Sequence, residues 1–341
     1  MKNRKNFVMG ATTGIAMLFI IFDARTAARS AYEGIELCLR TVIPSLLPFF
    51  VLSGVINSCL MGSQFRLLRP LGRLCKIPKG TESLLVLGFL AGYPVGAQLV
   101  TQSYQEGKIS QKTARRMLGF CNNAGPGFLF GMLSPLFSSV KILWDLWLIQ
   151  ILSALITGIL IPAAPEPTAH ISTHSCISFA EALSKALRSL ALVCGWVIIF
   201  RIIIGFCNRW FLWLLPTPIQ ILISGILELT NGCVLLNKLP CEGLRFLLSG
   251  VLLAFGGLCV AMQTTSVTTG LGTGWYFPGK VLQTTLCMLI CLLLQPVLFT
   301  KTEVVVLPLS APIGLILFGA TFAFTMRQKK LWLFQKVYSI I

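Results

Sequence analysis

The hydrophobic residues of this chain gather into long runs separated by short polar segments, the pattern of helices that face lipid. Runs extend from Phe7 to Phe22, from Pro44 to Met61, from Ile142 to Ile161 with Pro162 at its end, from the amphipathic stretch Ser178–Arg188 to Cys207, and from Val304 to Thr325. Ser30 to Arg40 mixes Glu33, Glu36 and Arg40 with apolar residues at helical spacing. It reads either as an interfacial helix or as the start of the run that follows. The pattern predicts an all-α polytopic membrane protein with about eight spanning helices.

Between these runs lie apolar segments that contain everything a helix avoids. Gly88-Phe89-Leu90-Ala91-Gly92-Tyr93-Pro94-Val95-Gly96-Ala97 is the most concentrated. Glycine costs helix stability, and an internal proline leaves a carbonyl without its donor. Broken backbone at membrane depth persists where protein buries it or where it lines a wet cavity. The stretch is therefore either a kink in a bundle helix or part of a solute site. Its flanks carry Thr81-Glu82 and Glu106-Gly107-Lys108, followed by Lys112, Arg115 and Arg116. Each half has about ten residues where a span needs about twenty. A re-entrant hairpin turning at Gly92-Tyr93-Pro94 satisfies both facts. A second break, Cys121-Asn122-Asn123-Ala124-Gly125-Pro126-Gly127, puts two amides in an apolar context. Amides there bond across helices or line a site.

The second half repeats the order of elements. Gly225 answers Gly88, Asn231-Gly232 answers Pro94-Val95, Gly256-Gly257 answers Asn122-Asn123 and Pro296 answers Pro162, at a nearly constant offset. Paired interruptions in two halves point to a transporter with a site near the midplane. The connector from Gln64 to Lys79 carries Arg66, Arg69, Arg73, Lys76 and Lys79, whereas its counterpart from Asn208 to Pro218 carries Arg209 alone. Unequal basic charge in equivalent loops predicts inverted repeats. The linker 163–178, without lysine or arginine, argues mildly the other way.

Composition narrows the class. Of 341 residues, 55% are hydrophobic and 11% charged, against about a quarter charged in soluble domains. The net charge of +17 sits mostly in short inter-run segments, where positive-inside topology places it, so nucleic acid is not an expected partner. The 12 cysteines are scattered through apolar runs without a C-x-x-C, and His170 and His174 share one polar loop. Neither a metal site, a disulfide framework nor a cofactor is expected. Lys2, Arg4 and Lys5 before Phe7 imitate a signal peptide, but Asp23 to Arg29 is too charged for a good cleavage site. An uncleaved first helix with its N-terminus inside is expected.

Leu46-Leu47-Pro48-Phe49, Gly92-Tyr93-Pro94-Val95-Gly96-Ala97, Cys121-Asn122-Asn123-Ala124-Gly125-Pro126, Leu229-Thr230-Asn231-Gly232 and Phe255-Gly256-Gly257 together resemble the YlbJ-like sporulation integral membrane proteins. That family belongs to the wider group with nucleoside-recognition or gate segments. The resemblance runs from about Ser30 to Thr300. It implies gate-type repeats over 30–162 and 178–300; the hydrophobic and polar pattern adds an N-terminal membrane helix (1–29), a polar linker (163–177), and a final membrane helix with a basic cytoplasmic tail (301–341). The resemblance also implies an endospore-forming bacterium, residence in the outer forespore membrane, and movement of dipicolinate, a small aromatic dicarboxylate.

The residues suit that chemistry. Converging half-helix N-termini offer partial positive charge and free N–H groups to a carboxylate. The expected substrate-binding set is Gly92, Tyr93, Pro94, Gly96, Asn122, Asn123, Gly125, Thr230, Asn231, Gly232, Gln263 and Thr264. Tyr93 either stacks on the substrate ring or packs the hairpin. Glu228 either carries a coupling proton, since burial favours the neutral acid, or bonds the Thr230-Asn231 turn. Arg201 fits snorkelling or pairing better than substrate contact. Catalytic motifs such as H-E-x-x-H and G-x-S-x-G are absent, so an enzyme is not expected. A membrane scaffold for spore-envelope maturation and a carrier of nucleoside-like solutes are the alternatives. Lipid is an expected partner and a homo-oligomer is compatible with the sequence.

Overall fold

A computed structural model of the chain describes residues 2–60, 68–163 and 177–299. These residues form helices and connections with no strand among them. The first half comprises α1 (Lys2–Phe22), α2 (Ala24–Leu37), α3 (Ile43–Leu60), α4 (Arg69–Leu74), α5 (Ser83–Leu90), α6 (Val95–Gln105), α7 (Gln111–Met117), α8 (Pro126–Leu133) and α9 (Val140–Leu160). The second comprises α10 (Phe179–Trp210), α11 (Thr217–Leu227), α12 (Leu229–Leu235), α13 (Glu242–Phe255), α14 (Gly257–Val267) and α15 (Tyr276–Leu298).

Five stretches are long and apolar enough to cross a membrane: Ala24–Cys59, Val140–Leu160, Phe179–Trp210, Glu242–Val267 and Tyr276–Leu298. The count is below eight among the described residues because Pro126–Leu136, after the second break, is a shorter apolar helix, and for two further reasons. In α1 the apolar part is the shorter Gly10–Phe22, and the run from Val304 to Thr325 lies outside the described residues, as do Arg66 and most of the linker. Of the two readings of Ser30 to Arg40, the structure takes the helix start. Asp23 caps α2 by accepting from the Thr26 N–H at 3.2 Å, and α2 runs into α3 through a wider π turn, Cys38–Val42. Pro44 has no N–H to give the Arg40 carbonyl, which explains a loosened turn there.

The axis of α2 and α3 packs along α10 in the opposite direction. Asp23 pairs with Arg209 at 2.8 Å, Glu33 with Arg201 at 2.5 Å, the Cys38 thiol donates to the Cys194 carbonyl at 3.8 Å, and the Ser58 hydroxyl accepts from the Ile177 N–H at 3.1 Å. As one residue number rises the other falls. Gly34 meets the Ile198 backbone, the close approach that small residues permit between membrane helices. α9 and α15 are antiparallel too. One shared end holds Arg116, whose Nε donates to the Ile161 carbonyl at 3.1 Å, and Trp275, whose N–H donates to the Arg115 carbonyl at 3.0 Å. At the other, Gln295 donates to the Gly243 carbonyl at 2.7 Å and Ser138 N–H to Glu242 at 2.6 Å. Lys108, Lys112 and Arg115 lead into Arg116 at the first of these ends, which is the cytoplasmic one on the positive-inside expectation.

Between the long helices lie two short hairpins, α5 with α6 and α11 with α12. Neither arm of either hairpin is long enough to span a bilayer. Each is followed by an interrupted segment, α7 to α8 and α13 to α14.

Candidate functional site

Both hairpin turns and both interruptions meet in the interior. The first turn, Ala91 to Pro94, leaves the helix at Gly92, whose φ of +84° belongs to glycine. Gly92 faces Gly125 so closely that a Cβ on Gly92 would stand 3.0 Å from the Gly125 nitrogen. Backbone touches backbone there. A Cβ on Gly96 would strike the Cys121 carbonyl. These glycines let the hairpin seat against the unwound segment from Leu118 to Gly125, which Pro126 ends by starting α8.

Unwinding frees backbone groups, and the two asparagines satisfy them. Asn122 is fully buried. Its Oδ1 accepts from the Ala97 N–H at 3.3 Å, one of the donors that the first turn of α6 cannot use itself. Its Nδ2 donates to the Thr264 hydroxyl on α14 at 2.9 Å. Asn123 donates to the Phe120 carbonyl at 2.7 Å and turns its Oδ1 toward α15. Tyr93 lays its ring against Gly256, where a Cβ would stand 3.0 Å from Cζ, and its hydroxyl donates to the Leu253 carbonyl at 3.0 Å.

The second turn is the single residue Glu228, 1% exposed. Its carboxylate accepts from the N–H of Thr230 at 2.9 Å and of Asn231 at 2.8 Å, and from Asn231 Nδ2 at 2.7 Å. It is the N-cap of α12. Of the two roles open to Glu228, bonding the Thr230-Asn231 turn is visible directly. Gly232 packs on Gly225 within the hairpin, and Gly257 sits against the Gly225 and Ile226 carbonyls. Gly256 and Gly257 both take left-handed φ, 82° and 84°, so the break between α13 and α14 needs glycine twice.

Tyr93, Gly125, Glu228, Thr230 and Gln263 line one small cavity, about 30 Å³, walled on its apolar side by Leu46 of α3 and by Val193 and Val197 of α10. It has room for about one water. Thr264 and Asn122 lie behind it, bonded to each other. Gln263 donates to the Cys259 sulfur at 3.3 Å. Asn123, Asn231, Gly96 and Gly232 serve the walls and do not line the cavity. Arg201 is engaged by Glu33.

The sequence reading missed Lys280. It is 1% exposed, in the second turn of α15. Its Nζ donates to the Tyr93 hydroxyl and the Asn123 Oδ1, both at 3.2 Å, and to Gln283 Oε1 at 2.9 Å, and lies 5.0 Å from the centre of the Tyr93 ring. Gln283 Nε2 closes the network by donating to Asn123 Oδ1 at 2.7 Å. Among the described residues no carboxylate lies within ion-pair reach of Lys280. A buried cation met by neutral oxygens is costly, and in a membrane it marks function by default. The signal was available. Tyr276, Lys280, Gln283, Cys287, Cys291 and Gln295 form one helical stripe, buried throughout. Lys280 reads in sequence as a flank charge because it stands near the start of its run. Among the described residues, no group of three His, Cys, Asp or Glu side chains is placed to hold a metal.

A polar, buried junction of broken helices inside a bundle of apolar spans defines an all-α polytopic integral membrane protein. The chain is 24% identical over 330 residues to the sporulation integral membrane protein YlbJ of Bacillus subtilis (strain 168), across 82% of this chain and 80% of that one. That similarity supports the assignment of the chain as a YlbJ-like integral membrane protein. No family model and no solved structure matches it.

Proposed function

We propose that this protein carries a small organic anion across the membrane of a sporulating cell, with dipicolinate as the substrate. The observation behind this reading is the meeting of two hairpin turns and two helix interruptions around a buried polar cavity backed by Lys280. A scaffold has no use for paired breaks in its spans. Half-helix N-termini at α6, α8 and α14 point partial positive charge inward, which suits carboxylates, and the α12 N-terminus already holds one, that of Glu228. Lys280 adds an amine behind Tyr93 that supplies a full charge when protonated. The relative's printed description supplies the sporulation setting. In this reading the hairpins are re-entrant and the halves inverted, in keeping with the antiparallel pairing of α3 with α10 and of α9 with α15.

The cavity of about 30 Å³ is too small for an aromatic dicarboxylate, so the state described is closed and the turns part to admit substrate. Glu228 faces the cavity and Lys280 lies behind it, so the site is electrically balanced when both are charged. Protonation of Glu228 removes the negative charge and leaves Lys280 to attract the anion. Uptake coupled to a proton follows, stronger as pH falls.

The test is uptake of labelled dipicolinate by proteoliposomes, with a nucleoside as competitor. Uptake above empty vesicles, indifferent to the nucleoside, is the expected result. Background uptake by folded protein overturns the carrier reading in favour of the scaffold, and competition by nucleoside overturns the substrate.

A further inference from the structure

A second cavity, about 360 Å³, opens between α3, α6 and α10, and the site above does not use it. Its outer wall carries Glu181 and Lys185, paired at 2.8 Å with side chains half exposed. Its inner end reaches Val95, the residue after the first hairpin turn. Asn57 in its wall is 4% exposed, and its Oδ1 has no partner. A buried amide oxygen left bare in a dry pocket costs about 1–3 kcal/mol, so this wall is built for a wet occupant.

The two cavities lie along the same helix faces. On α3, Leu46 lines the central cavity and Phe50 the outer one; on α10, Val193 lines the central and Ser189 the outer. Each pair is one turn apart, roughly 6 Å of rise. The partition is thus a single layer of side chains. It is held at one point by the Ser189 hydroxyl donating to Gln98 Oε1 at 3.1 Å, which ties α10 to the first hairpin. Gln98 is one turn into α6, whose start carries Val95 and the Ala97 N–H held by Asn122.

We propose that this outer cavity is the water-filled vestibule through which the hydrated anion reaches the central site from the cytoplasmic face, and that the Ser189–Gln98 hydrogen bond bars the passage until the first hairpin moves. The proposal rests on the carrier reading for its substrate but not for its water access. The face follows from the positions of Ser58, beside Asn57, and Ile177 at the end of α3 that precedes the basic connector.

The experiment uses full-length protein in proteoliposomes with Cys59 replaced by serine, and membrane-impermeant methanethiosulfonate as the probe, with labelled peptides mapped by mass spectrometry. Gln98→Cys is expected to react at least about tenfold faster than Leu46→Cys, because only local opening exposes the latter. Equal rates overturn the vestibule, whether or not dipicolinate is carried. Asn57→Leu is expected to unfold at about the same temperature, since the Asn57 oxygen bonds no protein group, yet to slow dipicolinate uptake about fivefold or more. Undiminished uptake by Asn57→Leu, or by Gln98→Cys after bulky labelling, overturns the cavity as the route while leaving the carrier reading intact. If wild type carries no dipicolinate, the carrier reading fails and the Gln98 against Leu46 contrast alone decides water access.

Discussion

Tyr93 at the first hairpin turn sends every polar contact across the molecule, to the Leu253 carbonyl on α13 and to Lys280 on α15. Glu228 at the second turn keeps its hydrogen bonds at home, on Thr230 and Asn231 of the helix it caps. The arms are similarly short and both are seated by glycine. The difference teaches which turn depends on its surroundings. The first is positioned by partners on other helices and is free to respond when they change. The second is a self-contained cap whose side chain lines the cavity without a partner on another helix.

The largest expected effect comes from removing the first turn's cation. Lys280→Met should cut uptake by about a hundredfold, the scale of a charged hydrogen bond of about 3 kcal/mol. Its unfolding temperature should not fall, since an apolar side chain in place of a buried charge is often neutral or stabilising. Unchanged uptake would remove Lys280 from the mechanism. Next comes Glu228→Gln, which keeps one of the two acceptor oxygens for the α12 N–H groups but cannot exchange a proton. Uptake by the wild type should rise about tenfold per pH unit at most as pH falls, while the variant's profile is flat. A variant that keeps the wild-type slope puts the coupling elsewhere. Tyr93→Phe should cost about 1 kcal/mol, read as faster amide exchange in α6 with α12 unmoved. Exchange rising equally in both hairpins would erase the contrast between them. Smallest is Arg201→Gln, which breaks a partly exposed pair and should lose no more than about 1 kcal/mol of stability, with uptake intact.

The interruptions were legible because they are written in glycine, proline and asparagine, residues whose backbone chemistry is local. Gly92, Gly125–Pro126 and Gly256-Gly257 announce breaks without reference to any neighbour. Glu228 was legible as an acid in an apolar run, and its cap geometry follows from Thr230 and Asn231 two and three residues on. Lys280 was legible only as one position of the α15 stripe, because its meaning comes from Tyr93 and Asn123, far away in sequence. Nor could sequence tell that Asn122 and Asn123, adjacent in the chain, face opposite ways, one to α6 and α14 and the other to α15. The basic residues of the Gln64–Lys79 connector, by contrast, are a cue to topology alone, and the inversion they suggest is part of the proposal above.

Asn122 has one further consequence. Its amide is a strut between the halves, with its oxygen on the α6 backbone and its nitrogen on Thr264 of α14. Sliding α6 away from α14 must snap one of those bonds at a fully buried position, at a cost of about 1–3 kcal/mol while no replacement partner is at hand. The toll vanishes once water or a polar solute reaches the amide. Dryness therefore acts as the lock on this interface, and wetting as its key.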